Sequence, residues 1–312
     1  MMSRLADTVA RAIPARKRVL ELAARMPPGW RSAGSLRLCS ALARRTLSSD
    51  DTVVTNLGIS PRVVCRVPGD RMGAAFGTPD LYAGERAALR TAAALSHHAD
   101  GFLDVGAHLG YFTFYVDEHG AANMPIVAVE PDPELFALLE QNLAASGCTR
   151  ARALRVAIGA QDGESVFHRD LSDSFSGSLT NDFAAHQTVA VPVRVRTAAS
   201  VLDDLGWQRA CLKVDIEGAE AEFMTGAAPA FDRIAFLIME VLGPAHKRQF
   251  VAQMIRAGWH AYYLRDFSVV PSEDGRFDYL EPEYNWLFCR ERPTELAALL
   301  PAPLVVAGTS HA

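Results

Sequence analysis

One stretch, residues 101–113, constrains the fold of this chain more than any other. An apolar run at residues 102–105 is followed by two glycines, Gly106 and Gly110, and then by aromatic residues from Tyr111 onward. Such a run broken by glycine indicates a buried strand, a tight turn and the start of a helix. In an α/β sheet this unit gathers backbone N–H groups and a helix N-terminus at the carboxyl end of the strand. The stretch therefore predicts a binding site for a nucleotide-like cofactor.

The charge near this turn selects among such cofactors. A dinucleotide site has the spacing G-x-G-x-x-G, whereas this turn runs from Gly106 to Gly110 and follows an acid, Asp104. The carboxylate would repel a pyrophosphate, which argues against an NAD-dependent oxidoreductase, and would suit the ammonium and sulfonium of S-adenosylmethionine (SAM). A second acid, Glu130, ends the next apolar strand at residues 126–130, where it can accept both ribose hydroxyls. The two acids predict a SAM site; a purely structural turn is the alternative.

Further residues extend the predicted cofactor site. Asp104 is expected at the methionyl end of SAM and Glu130 at the ribose, while His108 would position the donor from within the turn. Ala157 is expected beside the adenine. Asp162 is either a cap for the adenine amine or only the turn residue that its Gln-Asp-Gly setting predicts. The predicted SAM-binding residues are Asp104, Gly106, His108, Gly110, Tyr111, Glu130, Pro131, Ala157 and Asp162.

The alternation of strand and helix beyond residue 101 predicts an α/β fold with a doubly wound parallel sheet. Besides the segments already described, we predict a helix at residues 133–145 and core strands at residues 153–158, 211–216 and 234–241. Two alternating segments, residues 164–168 and 188–196, are predicted as further strands. They flank a stretch rich in Ser, Asp and Gly that is either a surface loop or a lid over the cofactor.

The predicted strand at residues 211–216 brings reactive side chains to the cofactor edge of the sheet. Lys213, Asp215 and Glu217 share one of its faces, because alternate residues of a strand point the same way. Clustered carboxylates raise one another's pKa, and Lys213 would offset part of that effect. Glu240 ends the next strand, and His246 follows in a loop or helix start. These five residues are the predicted catalytic set, in which a carboxylate or His246 would accept the substrate proton.

These assignments have alternatives. Asp215 or Glu217 could instead cap helix amides, and His246 could be an exposed residue at a helix start. A divalent metal on Asp215, Glu217 and Glu240 is conceivable, since Mg²⁺ takes oxygen ligands, but no metal site is predicted. The adjacent pair His97-His98 is predicted to lie on the surface, because neighbouring side chains point apart.

Three blocks of the sequence resemble the FkbM family of SAM-dependent methyltransferases. They are Asp104-Val-Gly-Ala-His-Leu-Gly110, Val129-Glu-Pro-Asp-Pro-Glu134 with Asn142, and Leu212-Lys-Val-Asp-Ile-Glu-Gly-Ala-Glu220, of which the last is the most distinctive. The resemblance covers roughly residues 80–292. It implies a Rossmann-like class I methyltransferase fold, whose seven-stranded, mostly parallel sheet ends in an antiparallel hairpin, here residues 259–265 and 285–289. It also implies O-methylation of a hydroxyl on a sugar, glycolipid or other small metabolite, and it favours a lid role for residues 174–179.

The first 50 residues differ in composition from the rest. Up to Arg45 they carry ten Lys or Arg against only Asp7 and Glu21, which predicts a basic helical N-terminal extension. This extension either docks on an anionic membrane face or forms a solvated cap. We predict that residues 51–100 pack on the core ahead of a methyltransferase domain at residues 101–292, and that residues 293–312 are a disordered tail.

Composition excludes several classes of protein. A net charge of −5 gives no electrostatic case for a nucleic-acid partner. No segment supplies the about 20 apolar residues of a membrane span, and no secretory signal is expected, so we predict a cytoplasmic protein with, at most, peripheral membrane contact. The five scattered cysteines are predicted to be reduced, packed thiols. The predicted partner is a small hydroxylated metabolite or glycan, with N-methylation or a non-catalytic SAM-binding module as alternatives.

Overall fold

The computed structural model describes residues 52–57, 59–68, 83–170, 177, 179, 188–216, 218–241, 244–272 and 285–308. The predicted basic extension, Glu217 and most of the predicted lid lie outside the described residues. His246 falls within a described helix, but its side chain also lies outside the described part of the chain.

The described residues form fourteen strands and seven α-helices. The strands are β1 (Thr52–Thr55), β2 (Cys65–Pro68), β3 (Gly101–Val105), β4 (Ile126–Val129), β5 (Ala151–Leu154), β6 (Ala157–Ile158), β7 (Gly163–Asp170), β8 (Thr188–Arg196), β9 (Ala210–Val214), β10 (Ile234–Glu240), β11 (His260–Arg265), β12 (Ser268–Ser272), β13 (Asn285–Cys289) and β14 (Val305–Val306). The helices are α1 (Ala83–Ser96), α2 (Tyr111–His119), α3 (Pro133–Ser146), α4 (Ala198–Leu205), α5 (Glu220–Ala227), α6 (Pro244–Arg256) and α7 (Pro293–Leu299).

A nine-stranded sheet forms the centre of the molecule, in the order β14-β12-β11-β13-β10-β9-β3-β4-β5. Its five strands from β10 to β5 pair in parallel. β13 is antiparallel to both of its neighbours, β10 and β11. The predicted α/β class, with a mostly parallel sheet and an antiparallel hairpin toward one edge, is confirmed.

Two strands beyond that hairpin were not predicted. β12 pairs antiparallel with β11, and β14 pairs parallel with β12, so the described residues give this sheet nine strands and not seven. Asp266 has a φ of 51°, a left-handed backbone conformation that turns the chain tightly between β11 and β12. This turn lets the chain reverse direction and add β12 beside β11.

The predicted disorder of residues 293–312 is wrong for residues 293–308, which form α7 and β14. This segment is held by apolar side chains that pack in the same cluster as α1. Its buried members are Leu296, Leu300, Leu304 and Val306. Burying a leucine side chain contributes about 1.5–3 kcal/mol, so this packing outweighs the weak local tendency of a segment rich in alanine and proline.

The predicted third strand, residues 153–158, is in fact two strands. β5 is the edge strand of the large sheet and ends at Leu154. β6 belongs to a separate three-stranded sheet of order β6-β8-β7. The N–H of Val156 donates to the carbonyl of Leu154 at 3.1 Å, a local bond that interrupts the ladder. Ala157 then pairs in parallel with Val195 of β8.

Local sequence signals account for the ends of the helices. The Asp132 side chain caps α3 by accepting two backbone N–H groups, and Pro133 fills the first helical position. Gly147 ends the same helix with a φ of 65°, which favours glycine. The buried face of α3 includes Leu135, Leu139 and Leu143. A helix that is capped at both ends and apolar on one side is held firmly against the sheet.

Different helices cover the two faces of the large sheet. On one face α1 contacts β9, β10, β11 and β13, and forms an apolar cluster with residues of α2 and α7. On the other face α4, α5 and α6 contribute to a second cluster. The β1–β2 hairpin contacts α3, where Asn142 Oδ1 accepts the N–H of Arg66 at 2.7 Å. The sheet is therefore buried on both sides, as a parallel sheet requires.

The predictions about cysteines, surface histidines and membrane spans can also be compared with the described part of the chain. Cys65, Cys148, Cys211 and Cys289 are buried free thiols, and His97 and His98 are exposed, as predicted. No described helix combines the length and the hydropathy that crossing a bilayer would require.

Candidate active site

The glycine turn lies where the ends of β3 and β9 come closest. Gly106 has a φ of 77°, and a Cβ atom built on it would lie 1.8 Å from the carbonyl oxygen of Asp215. The N–H groups of Gly106 and Ala107 both donate to the Val129 carbonyl, at 3.0 and 2.9 Å. Gly110 has a φ of 96° and packs beside Leu139 and Phe114. The predicted turn is confirmed, and its first glycine is required both by conformation and by space.

Asp104 is held under the N-terminus of α2. Its Oδ2 atom accepts the backbone N–H of Thr113 at 2.9 Å and the Thr113 hydroxyl at 2.6 Å. The side chain is only 2% exposed, and this burial raises the pKa of the carboxyl group to about 6, although Thr113 and Lys213 act in the opposite direction. Hydrogen bonds therefore hold the Asp104 side chain in one position, and its charge changes with pH around a pKa of about 6.

Glu130 joins the glycine turn to the next loop. Its Oε2 atom accepts the N–H of His108 at 2.8 Å, and its Oε1 atom accepts the N–H of Asp132 at 2.9 Å. His108 itself has a φ of 53°, so the turn depends on a contact that stabilises a strained residue. A carboxylate oxygen can accept more than one hydrogen bond, so these contacts are compatible with ribose hydroxyls as additional donors.

Lys213 is the buried cation of the site. It lies opposite Asp104 in the register of β3 and β9 and is 1% exposed. Its Nζ atom is 3.4 Å from Asp215 Oδ2 and 4.9 Å from the centre of the Phe112 ring. Burial acts to lower the pKa of this amine, but the negative charges around it outweigh burial and raise the pKa. The acids responsible are Asp215, Glu85, Glu240 and Asp104, in that order.

Two members of this cluster, Glu85 and Asn285, were missed by the sequence interpretation. Glu85 is in the first turn of α1, and its Oε1 atom accepts a hydrogen bond from Asn285 Nδ2 at 3.1 Å. Asn285 opposes Glu240 in the register of β13 and β10. Burial raises the pKa of the Glu85 carboxyl, while Lys213 and the Asn285 bond oppose that shift. In the sequence, an acid in the first turn of a helix indicates only a favourable dipole interaction, so it carried no functional signal.

The structure thus brings three of the five predicted catalytic residues together: Lys213, Asp215 and Glu240. Asp215 is partly exposed at the end of β9, where its N–H donates to Val105 at 3.0 Å. Glu220, the first residue of α5, is buried and accepts the Gly218 N–H at 3.2 Å. No group of three or more His, Cys, Asp or Glu suited to a metal ion occurs among the described residues.

The remaining predicted cofactor residues are spread more widely. Tyr111 begins α2 and makes an edge contact with Phe112, and Pro131 is partly buried beside Glu130. Ala157 is buried in β6. Asp162 is exposed and accepts the Thr197 N–H at 2.6 Å and the Ser200 hydroxyl at 2.9 Å. These contacts give Asp162 a structural role at the start of α4, and its contact with adenine stays a prediction.

The strand order and the glycine turn define a Rossmann-like α/β protein with a site at the carboxyl ends of its central strands. The sequence model of the methyltransferase FkbM domain matches residues 104–269, which is more than half of the chain. The chain therefore belongs to the FkbM methyltransferase family, and the resemblance seen in the sequence is confirmed.

Solved structures of methyltransferases are similar to the chain at low identity. A precorrin-6y C5,15-methyltransferase from Geobacter metallireducens is 12% identical, with a TM-score of 0.37, over 65% of this chain and 87% of the other. An O-methyltransferase from Bacillus cereus in complex with SAH is 10% identical, with a TM-score of 0.36, over 64% of this chain and 78% of the other. A search of curated proteins returned no match. The assignment therefore rests on the family match.

Proposed function

We propose that this protein is a SAM-dependent methyltransferase that methylates a hydroxyl group on a sugar, glycolipid or other small metabolite. The observation that carries the proposal is the cluster of charged residues around the buried Lys213 beside the glycine turn, in which Lys213 lies 3.4 Å from Asp215 and opposite Asp104. Membership of the FkbM methyltransferase family supports the reaction class. The choice of a hydroxyl acceptor rests on the resemblance alone.

The donor atoms of the site fit SAM better than a phosphate-bearing cofactor. The side chains at the ends of β3 and β4 are carboxylates, Asp104 and Glu130, both at most 4% exposed. A phosphate would bring negative charge against them, whereas SAM carries an ammonium and a sulfonium. We expect Asp104 to face the ammonium, Glu130 the ribose, and His108 the donor from within the turn. Tyr111, Pro131, Ala157 and Asp162 complete the proposed contacts.

The bound cofactor supplies an electrophilic methyl group, and the residues of the chain position the acceptor and remove its proton. Asp215 suits the second task because it is partly exposed at the strand end next to the turn. Lys213, fixed between β3 and β10, holds one oxygen of Asp215 and leaves the other to accept the hydroxyl proton. Alignment of the two reactants is the main requirement of such a displacement. Glu240 is the second described candidate for the base, and Glu217 and His246 stay predictions.

Calorimetric titration with SAM, its demethylated product SAH and NAD tests the cofactor assignment. We expect SAM and SAH to bind and NAD not to bind. Absence of binding by both SAM and SAH would overturn the proposed function. Binding of SAM without SAH formation, when extracts of small metabolites are offered as acceptors, would favour the alternative of a non-catalytic SAM-binding module.

Replacement of Asp215 separates catalysis from binding. Asp215→Asn keeps the shape of the side chain but removes the charge, so methyl transfer should fall by about 10²- to 10⁴-fold, the usual worth of a positioned base. The affinity for SAM should change much less, because its proposed anchors lie on β3 and β4. SAH formation and SAM affinity are measured on the same variant. Near-normal transfer with a lowered melting temperature would assign Asp215 a purely structural role.

A further inference from the structure

A row of polar side chains crosses one face of the large sheet at its carboxyl edge. Asp104 lies opposite Lys213, and Lys213 lies opposite Ile238, two residues before Glu240 on the same face of β10. Glu240 lies opposite Asn285. The row therefore runs over four adjacent strands, β3, β9, β10 and β13. It borders the apolar cluster beneath α1, the helix that brings Glu85 to the Asn285 end of the row.

Together with the neighbouring acids Glu85 and Asp215, the row carries more hydrogen-bond acceptors than donors. Four carboxyl groups, those of Asp104, Glu85, Asp215 and Glu240, act on one ammonium, that of Lys213. The ammonium already lies 3.4 Å from Asp215 Oδ2 and 3.5 Å from the Val214 carbonyl. The donating half of the Asn285 amide is bonded to Glu85. A ligand that complements such a surface must bring hydrogen-bond donors and positive charge.

The side chain of Asn285 indicates a missing hydrogen-bond donor independently of the charges around Lys213. The side chain is 3% exposed, yet its Oδ1 atom has no hydrogen-bond partner among the described residues. Nδ2 of the same planar amide is bonded to Glu85, so the amide is fixed in orientation at the strand position opposite Glu240. A buried acceptor that lacks a donor is uncommon and calls for a ligand group that can donate to it.

We propose that Glu85 and Asn285 form a subsite that binds the methyl acceptor through a protonated amine or hydroxyl group, so that the enzyme takes amino-alcohol compounds such as amino sugars and rejects acceptors carrying carboxylate or phosphate. The subsite rests on the proposed function, since it is the acceptor side of the same cleft. Glu85 lies outside the matched family domain, at residues 104–269, so this preference is a property of α1, which precedes that domain.

The test uses four related sugars as probes: glucosamine, glucose, glucuronate and glucose 6-phosphate. Their binding to the full chain is measured by saturation-transfer NMR, with and without SAH. We expect glucosamine to bind most tightly and both anionic sugars to bind at least about tenfold more weakly, as expected for a charge-assisted contact against a repulsive one. Equal binding of glucosamine and glucuronate, or no binding by any of the four, would overturn the proposal. This comparison within the unaltered protein does not depend on how any variant folds.

A matched pair of variants then assigns the preference to Glu85. Glu85→Gln should weaken the binding of glucosamine about tenfold and the binding of glucose much less, because the substitution removes only the charge of the side chain. Glu140→Gln changes an exposed glutamate of α3 in the same way and should leave all four affinities unchanged. An unaltered preference for glucosamine in a folded Glu85→Gln variant would remove Glu85 from the subsite. If neither SAM nor SAH binds, the proposed function fails, whereas the sugar series on the cofactor-free protein still decides the charge preference.

Discussion

At the scale of single residues, the site depends on acids whose oxygens already hold the backbone in place. Asp104 accepts two hydrogen bonds from Thr113, and Glu130 accepts one amide on each oxygen. These acids were predictable because each lies at the carboxyl end of an apolar strand. Glu85 and Asn285 were not predictable, because 200 positions separate two residues whose side chains touch. Only the packing of α1 against β13 brings them together.

The buried acid Asp104 makes stability depend on pH. Its pKa is raised to about 6, above its ordinary value of 3.8, because burial disfavours the charged form. The folded state therefore favours the protonated acid, so this stabilisation is complete below pH 4 and is lost as the pH rises through 6. Between pH 4 and pH 7, the advantage of the native protein over Asp104→Asn should fall by up to about 3 kcal/mol. Denaturant unfolding of both proteins measures it, and a difference that stays constant with pH would contradict the assignment.

Glu130 has a structural as well as a proposed binding role. Each oxygen of its carboxylate accepts one backbone N–H, so removal of the side chain in Glu130→Ala leaves two donors without this partner. Each donor left without its partner costs about 1–3 kcal/mol when buried, so the variant should lose stability as well as affinity. Glu140→Ala, at an exposed position of α3, is the control for thermal unfolding. An unchanged melting temperature for Glu130→Ala would show that these two contacts contribute nothing.

At the scale of elements, sequence signals located most helices and strands but not every boundary. α3 was predictable because it has a cap, a proline at its start and a glycine after its end. The division between β5 and β6 was not, because both halves have strand composition and only their different partners separate them. α7 was missed because its stability comes from tertiary burial of residues such as Leu296.

The turn between β3 and α2 can be tested with two glycines of similar conformation. Gly106 and Gly147 have φ values of 77° and 65°, so alanine at either position carries a similar backbone strain of about 1–2 kcal/mol. No atom lies within 4 Å of a Cβ built on Gly147, whereas the one on Gly106 would meet the Asp215 oxygen at 1.8 Å. Gly106→Ala should therefore lose considerably more stability than Gly147→Ala, and it should also lose SAM binding. Equal melting temperatures for the two variants would contradict the close approach of β3 and β9.

At the scale of the whole molecule, the fold class followed from the sequence because parallel strands alternate with amphipathic helices from Gly101 onward. The site forms where the carboxyl ends of β3, β4, β9 and β10 meet, between a helix that begins at the turn and one that precedes the sheet. The helix before the sheet brings Glu85 to Asn285, so the proposed acceptor subsite consists of residues from beyond the family domain. The family fixes the reaction class, and the elements around it set the proposed substrate.

The affinity for SAM of Asp104→Asn, measured by titration calorimetry, tests the central claim most directly. Asparagine keeps an oxygen that can accept the bonds from Thr113, so the fold should persist while the charge that faces the SAM ammonium is lost. We predict SAM binding weaker by about 10- to 100-fold at pH 8, which corresponds to the loss of one charge-assisted hydrogen bond. Asp232→Asn is the control. It makes the same change at an exposed position just before the amino end of β10, and it should bind SAM as the native protein does. Native affinity in a folded Asp104→Asn protein would contradict the placement of SAM at this turn.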